Sequence, residues 1–282
     1  VGPDVEGAVV LSGHTDVVPI DGQPWDTDPW EVVQKDGKYY GRGTCDMKGF
    51  DALAIWALVE AHYEQVTRPL QLALSFDEEV GCTGAPPMIE AMRGLVPKGS
   101  AVIVGEPSML KAVTGHKGGN AFSTHVVGFE VHSSIHYQGV SAIHEGARLI
   151  HWATEQNEFN RSATPSPLAA MFDPPYTTWH VGRVSGGTAD NITAKDCHFN
   201  MFYRAVPGDE PAILDQMYSD KVSEIKAAMQ VVRPETDIVL ERRFAVPPLK
   251  PEEAGESESL VRTITGDNAS HVVSYGTEAG QF

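Results

Sequence analysis

Along the first third of the chain, short apolar runs each close on a polar cluster. Ala8 to Gly13, Leu70 to Phe76 and Ala101 to Gly105 are runs of strand length, and near-continuous apolar runs suit strands buried on both faces of an α/β sheet. Phe50 to about Gln65 carries apolar residues at helical spacing, and Leu53, Ile55, Trp56, Leu58 and Val59 predict a largely buried face.

The middle of the chain has a different rhythm. Residues 121–131 read as a strand and 139–155 as a helix. Residues 178–184 and 195–206 read as strands joined by the turn Ser185 to Asn191, followed by a helix over 211–229 and a strand over 237–244. This βαββαβ order predicts a small α+β unit over 116–245, inserted between 1–115 and a returning segment, 246–282, of a larger α/β domain. The acidic stretch from Pro251 reads as a solvated helix start leading to Leu260, Val261 and Ile264.

Composition narrows the function. A net charge of −17, from 38 acidic and 21 basic residues, argues against nucleic acid, because counterion release requires Lys and Arg clusters. No apolar run is long enough to cross a bilayer, so no membrane partner is expected. Three scattered cysteines, Cys45, Cys82 and Cys197, include no CxxC pair and fit a reducing cytoplasm better than a disulfide framework.

The strand ends carry the candidate chemistry. His14-Thr15-Asp16 follows the first run, Asp77-Glu78-Glu79 the second and Glu106 the third. Asp46 sits in the glycine-rich loop from Tyr40 to Gly49, just before the first helix. Each cluster alone has an ordinary reading: a loop histidine, a solvated acidic turn, an acid capping a helix. In open α/β sheets, however, ligands gather beyond the carboxyl ends of the strands. Four such clusters in order therefore point to His14, Asp46, Glu79 and Glu106 converging.

The motifs HTDVVP, GRGTCDMKG, SFDEEVG and VGEPS, in that order, resemble the M20 di-zinc amidohydrolases and peptidases. The resemblance runs along the whole chain. DMKGF, FDEEVGC, VGEPS and a later YGTEAG are similar to the N-acetylornithine deacetylase branch.

The resemblance implies a zinc-peptidase-like α/β domain with a mostly parallel sheet and helices on both faces, plus an inserted α+β lid that also forms a homodimer contact. It implies two Zn2+ ions, with Co2+ or Mn2+ as alternatives. Asp46 would bridge them, His14 and Glu106 would complete one site, and Glu79 would belong to the other. Glu78 would be general base and acid, Asp16 would orient His14, and the Asp46–Met47 peptide would be cis.

His132, in a GHSS-like motif with Val131 in place of glycine, would support the oxyanion in the partner subunit. Arg204 would clasp a substrate carboxylate, Asn191 would contact substrate, and Glu278 would pair with a side-chain ammonium. The implied reaction is hydrolysis of the N-acetyl amide of N2-acetyl-L-ornithine, within arginine biosynthesis. The alternatives are a succinyl-diaminopimelate desuccinylase, another M20 aminoacylase or carboxypeptidase, or a non-catalytic dimerising relative. The remaining histidines, among them His125, His180 and His198, read as structural or solvated.

The family's last metal ligand is a histidine well beyond the region matching YGTEAG, whereas this sequence stops at Phe282. The expectation is a fragment lacking part of the larger domain at both ends, with one metal site incomplete.

Overall fold

A computed structural model describes residues 1–282. The chain forms two compact units, one from Val1–Gly115, Leu249–Val272 and Thr277–Phe282, the other from His116–Pro248 and Val273–Gly276.

The first unit is built on β1 (Ala8–His14), a hairpin of β2 (Val33–Lys35) and β3 (Lys38–Tyr40), α1 (Lys48–Tyr63), β4 (Leu70–Ser75), α2 (Ala85–Leu95) and β5 (Gly99–Val104). β1 lies between β4 and β5 and is parallel to both. Parallel neighbours need crossovers, which the stretches containing α1 and α2 supply. All three strands therefore finish at the same sheet end: His14 stands opposite Ser75, and Ser12 opposite Val104. The chain leaves β1 for β4 on one side and reaches β5 on the other. That reversal opens a crevice at the carboxyl ends.

The structure corrects the expected buried face of α1. Its buried residues are Asp51, Ala54 and Ala61, while Leu53 is 63% exposed and Trp56 59%. The helix turns its small residues inward, which allows its backbone to approach β1 and β4 closely.

After β6 (Val113–His116), the second unit runs β7 (Gly118–Val127), α3 (Ala142–Ser162), β8 (Thr178–His180), β9 (Val184–Gly186), β10 (Asp196–Ala205), α4 (Pro211–Val232) and β11 (Asp237–Val246). The chain ends through α5 (Glu256–Thr265) and β12 (His271–Val273), which pairs with β6. The second unit's sheet has the order β11-β7-β10-β8, with β9 also on β10. Its pairings are antiparallel.

One face of this sheet packs on α3 and α4. Leu149, Trp152, Trp179, Met201, Tyr203, Tyr218 and Ile225 fill the core, and the Tyr218 hydroxyl is satisfied at 2.7 Å by Thr124. Two expectations change here. The strand over 178–184 is two short strands, β8 and β9, and the helix expected to stop at residue 155 continues to Ser162. The extension is held by amide side chains: Asn157 accepts from the Trp179 N–H and donates to the Trp179 carbonyl, each at 2.7 Å. Asn160 donates to the Thr177 carbonyl at 2.8 Å. Polar residues that seemed to end the helix bind the neighbouring strand's backbone.

Candidate active site

His14, the last residue of β1, is fully buried. Its Nε2 lies 3.0 Å from Asp46 Oδ1 and 3.9 Å from Glu106 Oε1. One donor atom from each of the three residues lies within 4.8 Å of the others. Asp46 comes from the loop before α1, where the Asp46–Met47 peptide is cis, and Glu106 follows β5. Gly13 leaves the room that the Asp51 carboxylate fills, since a Cβ there would sit 2.1 Å from Asp51 Oδ1.

The loop after β4 carries Glu78 and Glu79. Asp77 and Cys82 both adopt the left-handed backbone, at φ 56° and 54°, a conformation uncommon for non-glycine residues. The Asp16 carboxylate pins this loop, one oxygen accepting from the Glu78 N–H and the other from the Glu79 N–H, each at 3.1 Å. The His14 ring is held chiefly by the Asp16 main-chain carbonyl, 3.1 Å from Nδ1, with the carboxylate farther at 3.4 Å. This refines the expected role of Asp16, because its carboxylate is already committed to two backbone donors. Glu78 Oε1 accepts from the buried Cys82 thiol at 3.3 Å. Burial first, then Glu78, pushes that thiol far up, so it stays protonated.

The electrostatics are those of crowded negative charge. Burial and the nearby Glu78 and Asp46 carboxylates push Glu106 up to about 8. Burial raises Glu78, as do Glu79 and Glu278. Burial and Asp46 raise Glu79, whose carboxylate accepts from the Val18 N–H. Burial disfavours charge on His14, but Glu106, Asp46, Glu78 and Asp16 outweigh it and raise its pKa.

Glu106 Oε1 is buried with no hydrogen-bond partner. An orphaned buried carboxylate oxygen facing an imidazole and a second carboxylate is the donor set a divalent cation satisfies. The residues therefore fit a metal. Of the four expected ligands, the structure gathers His14, Asp46 and Glu106, while Glu79 stands outside that trio but within its electrostatic reach.

Glu278 is corrected. It is 1% exposed, and its carboxylate accepts from Ser12 Oγ at 2.6 Å and Ser75 Oγ at 2.5 Å. A carboxylate enclosed beneath β1 and β4 is not presented to a substrate ammonium. Ser12, Ser75 and Cys82 are the polar partners that sequence reasoning missed. Their only signal was a hydroxyl or thiol beside the strand-end acids.

In the second unit, His132 and Asn191 are neighbours. Residues 132 and 192 form a β-bridge, and the Ser133 N–H donates to the Asn191 carbonyl at 2.8 Å. His132 Nδ1 accepts from the Ser134 N–H at 3.2 Å and lies 2.8 Å from Ser134 Oγ. Arg204 lines a groove of about 590 Å3 with Thr178, His180, Arg183, Asn200 and Phe202. Gly119 makes room for its guanidinium, because a Cβ there would meet Arg204 Nη1 at 2.7 Å. Arg183, which lines the same groove, adds a second guanidinium there.

A parallel sheet ending in a buried imidazole–carboxylate cluster, beside a loop of further acids, defines a metal-dependent hydrolase class. The chain belongs to Peptidase family M20/M25/M40, whose family model matches residues 10–282.

It is 34% identical to an acetylornithine deacetylase from Myxococcus xanthus, over 98% of this chain and 68% of the relative. Another acetylornithine deacetylase, from Pasteurella multocida, is 35% identical over 77% of this chain and 56% of its own length. Among solved structures, an M20 family metallo-carboxypeptidase from Sulfolobus solfataricus is similar with a TM-score of 0.70 at 15% identity, covering 96% of this chain and 72% of that one. A Staphylococcus aureus tripeptidase has a TM-score of 0.65 at 18% identity, covering 97% and 69%. These two structural likenesses speak for the fold.

Proposed function

We propose that the full-length protein hydrolyses the N-acetyl amide of N2-acetyl-L-ornithine to L-ornithine and acetate, as a step of arginine biosynthesis. The observation that carries this reading is the meeting of His14, Asp46 and Glu106 at one sheet end, in a unit that also places Glu78 within their field. The two relatives named for that activity support the substrate.

His14, Asp46, Glu79 and Glu106 would hold two divalent ions, with Zn2+ favoured by the mixed nitrogen and oxygen donors and Co2+ or Mn2+ as alternatives. When bound, such ions lower the pKa of the attacking water and polarise the acyl carbonyl. Glu78 accepts the proton that water releases as it adds to the acetyl carbon. The C–N bond then breaks, and Glu78 returns the proton to the departing amine.

In this reading the second unit acts as lid and homodimer contact. Arg204 takes the substrate α-carboxylate through its planar fork, with Arg183 adding positive charge to the same groove. With His132 Nδ1 engaged by Ser134, Nε2 is the nitrogen left to support the oxyanion in the partner's site, next to Asn191. The setting is cytoplasmic.

Steady-state rates on N2-acetyl-L-ornithine and N-succinyl-diaminopimelate decide the substrate. Faster turnover of the succinyl compound reverses the assignment, and absence of both metal and activity points to a non-catalytic relative. Co-expression of His132→Ala and Glu78→Gln chains tests the shared site. Restored hydrolysis in the mixed dimer is expected, and two inactive chains that stay inactive together remove the cross-subunit role.

A further inference from the structure

The second unit carries another group of metal-type donors, which the reaction above does not use. β7 and β10 pair antiparallel with His125 directly opposite His198. Asp196 stands two residues before His198 on the same strand, and a spacing of two returns a side chain to the same sheet face. The residues interleaved with them, Thr124, Val126, Cys197 and Phe199, are buried, so the three donors occupy the face opposite the helices. His198 is exposed, and His125 and Asp196 are part-buried.

The geometry is that of a small chelating cluster. The two imidazoles stack with centroids 3.9 Å apart and planes 18° apart. His125 Nε2 is hydrogen-bonded to Asp196 Oδ1 at 2.7 Å. One ligand atom from each of the three residues lies within 4.8 Å of the other two. Their backbone is a hydrogen-bonded ladder, so the places from which the three side chains start are set before any ion arrives. The next cross-strand neighbours, Val239 beside His125 and Ser185 beside His198, are uncharged and bring no competing cation.

We infer that His125, His198 and Asp196 form a surface site for one divalent transition-metal ion of the zinc, nickel or copper type, completed by water. Two imidazoles and one carboxylate are the donors such ions select, whereas magnesium and calcium prefer oxygen alone. The ion replaces the hydrogen bond between His125 and Asp196. Because the rings are stacked, the ion lies in both ring planes only after one ring turns about its terminal torsion. That torsion is broad for histidine, and the exposed His198 is the ring placed to turn.

The test is metal stoichiometry of the full-length protein after equilibration with Zn2+, by elemental analysis and calorimetric titration. It compares wild type with the His125→Ala/His198→Ala double variant and with Asp196→Asn, which preserves side-chain size if the double variant folds poorly. Wild type should bind one Zn2+ per chain more than either variant, with the variants' hydrolytic activity unchanged. Zn2+ should also shift the imidazole NMR resonances of His125 and His198 in the wild type. Equal stoichiometry in wild type and Asp196→Asn, with those resonances unmoved by Zn2+, overturns the inference and leaves an ordinary solvated His–His–Asp contact.

Discussion

The two units each assemble imidazole and carboxylate donors, and their different surroundings separate what donor chemistry does from what burial does. In the first unit His14 is sealed from solvent, Glu106 is pushed up to about 8 by burial and neighbouring carboxylates, and one of its oxygens has no partner. In the second unit His125 and Asp196 satisfy each other at 2.7 Å, with side chains 34% and 47% exposed. Water screens the second group, so it is stable without an ion. The first is held together against its own repulsion, and a cation is what relieves it. Donor type alone makes a site possible; removal from water is what would give a bound ion repulsion to relieve.

The sharpest way to break the comparison is at Glu78. Glu78→Gln keeps the shape and removes the proton acceptor, so kcat should fall by roughly 10²- to 10⁴-fold, while metal content measured by elemental analysis stays near wild type. His198→Asn should leave turnover unchanged. An active Glu78→Gln enzyme removes the proton-carrier role from Glu78.

Next in size is Glu106→Gln, read with and without metal. In metal-stripped protein near pH 7 the wild type must take up a proton at Glu106 on folding, because its pKa is pushed up to about 8. The neutral amide avoids that cost, so Glu106→Gln should raise unfolding free energy by about 1–3 kcal/mol in urea titrations. With metal present the order should reverse, because the variant has lost a charged ligand. A variant less stable in both states would mean that the crowded carboxylates are not under strain in the absence of metal.

Much of the first unit is legible in the sequence because its logic is local. Apolar runs become parallel strands, parallel strands finish together, and the residue after each run is therefore at the crevice, as His14 and Glu106 are. What was not legible depends on partners distant in the chain. Glu278 looked available to substrate, but it is bound by Ser12 and Ser75, 266 and 203 residues away. Periodicity marked the apolar side of α1, yet the side turned inward is the one with Ala54 and Ala61, which suit close approach to β1 and β4. His125 and His198 are 73 positions apart by their numbering; only the β7–β10 register makes them a pair.

The second unit inverts the first unit's problem at Lys117, a buried cation whose ammonium donates to the Pro174 and Tyr176 carbonyls at 2.6 and 3.0 Å. Burial pulls its pKa down to about 8, against a modest opposing pull from Asp173. Between about 8 and the ordinary lysine value of 10.5 the unfolded chain holds this proton and the folded chain does not. Stability contributed through this group therefore rises with pH across that window. Urea titrations at pH 8 and pH 10 should show less of this rise in Lys117→Met. The variant should also be destabilised overall by about 1–3 kcal/mol, since two part-buried carbonyls lose their donor. A variant with an unchanged pH dependence would place the Lys117 ammonium in water.

The smallest effect concerns Asp267 in the first unit, an acid controlled by hydrogen bonds instead of burial. Its carboxylate accepts from the Ala112 and Ala269 N–H groups at 2.9 and 3.1 Å, with His271 Nε2 at 3.0 Å. The backbone donors, foremost Ala112 and then Ala269, hold its pKa down to about 2. A depressed carboxyl stabilises the fold above its unfolded value of 3.8, and the contribution is lost as pH falls from there through about 2. Asp267→Asn should therefore lower the melting temperature slightly at neutral pH and flatten its fall between pH 4 and pH 2. Unlike the Glu106 variant, this one should behave alike with and without metal. If metal changes the size of the Asp267 effect, then the first unit's carboxylates form one connected network and the division between buried and hydrogen-bonded acids fails.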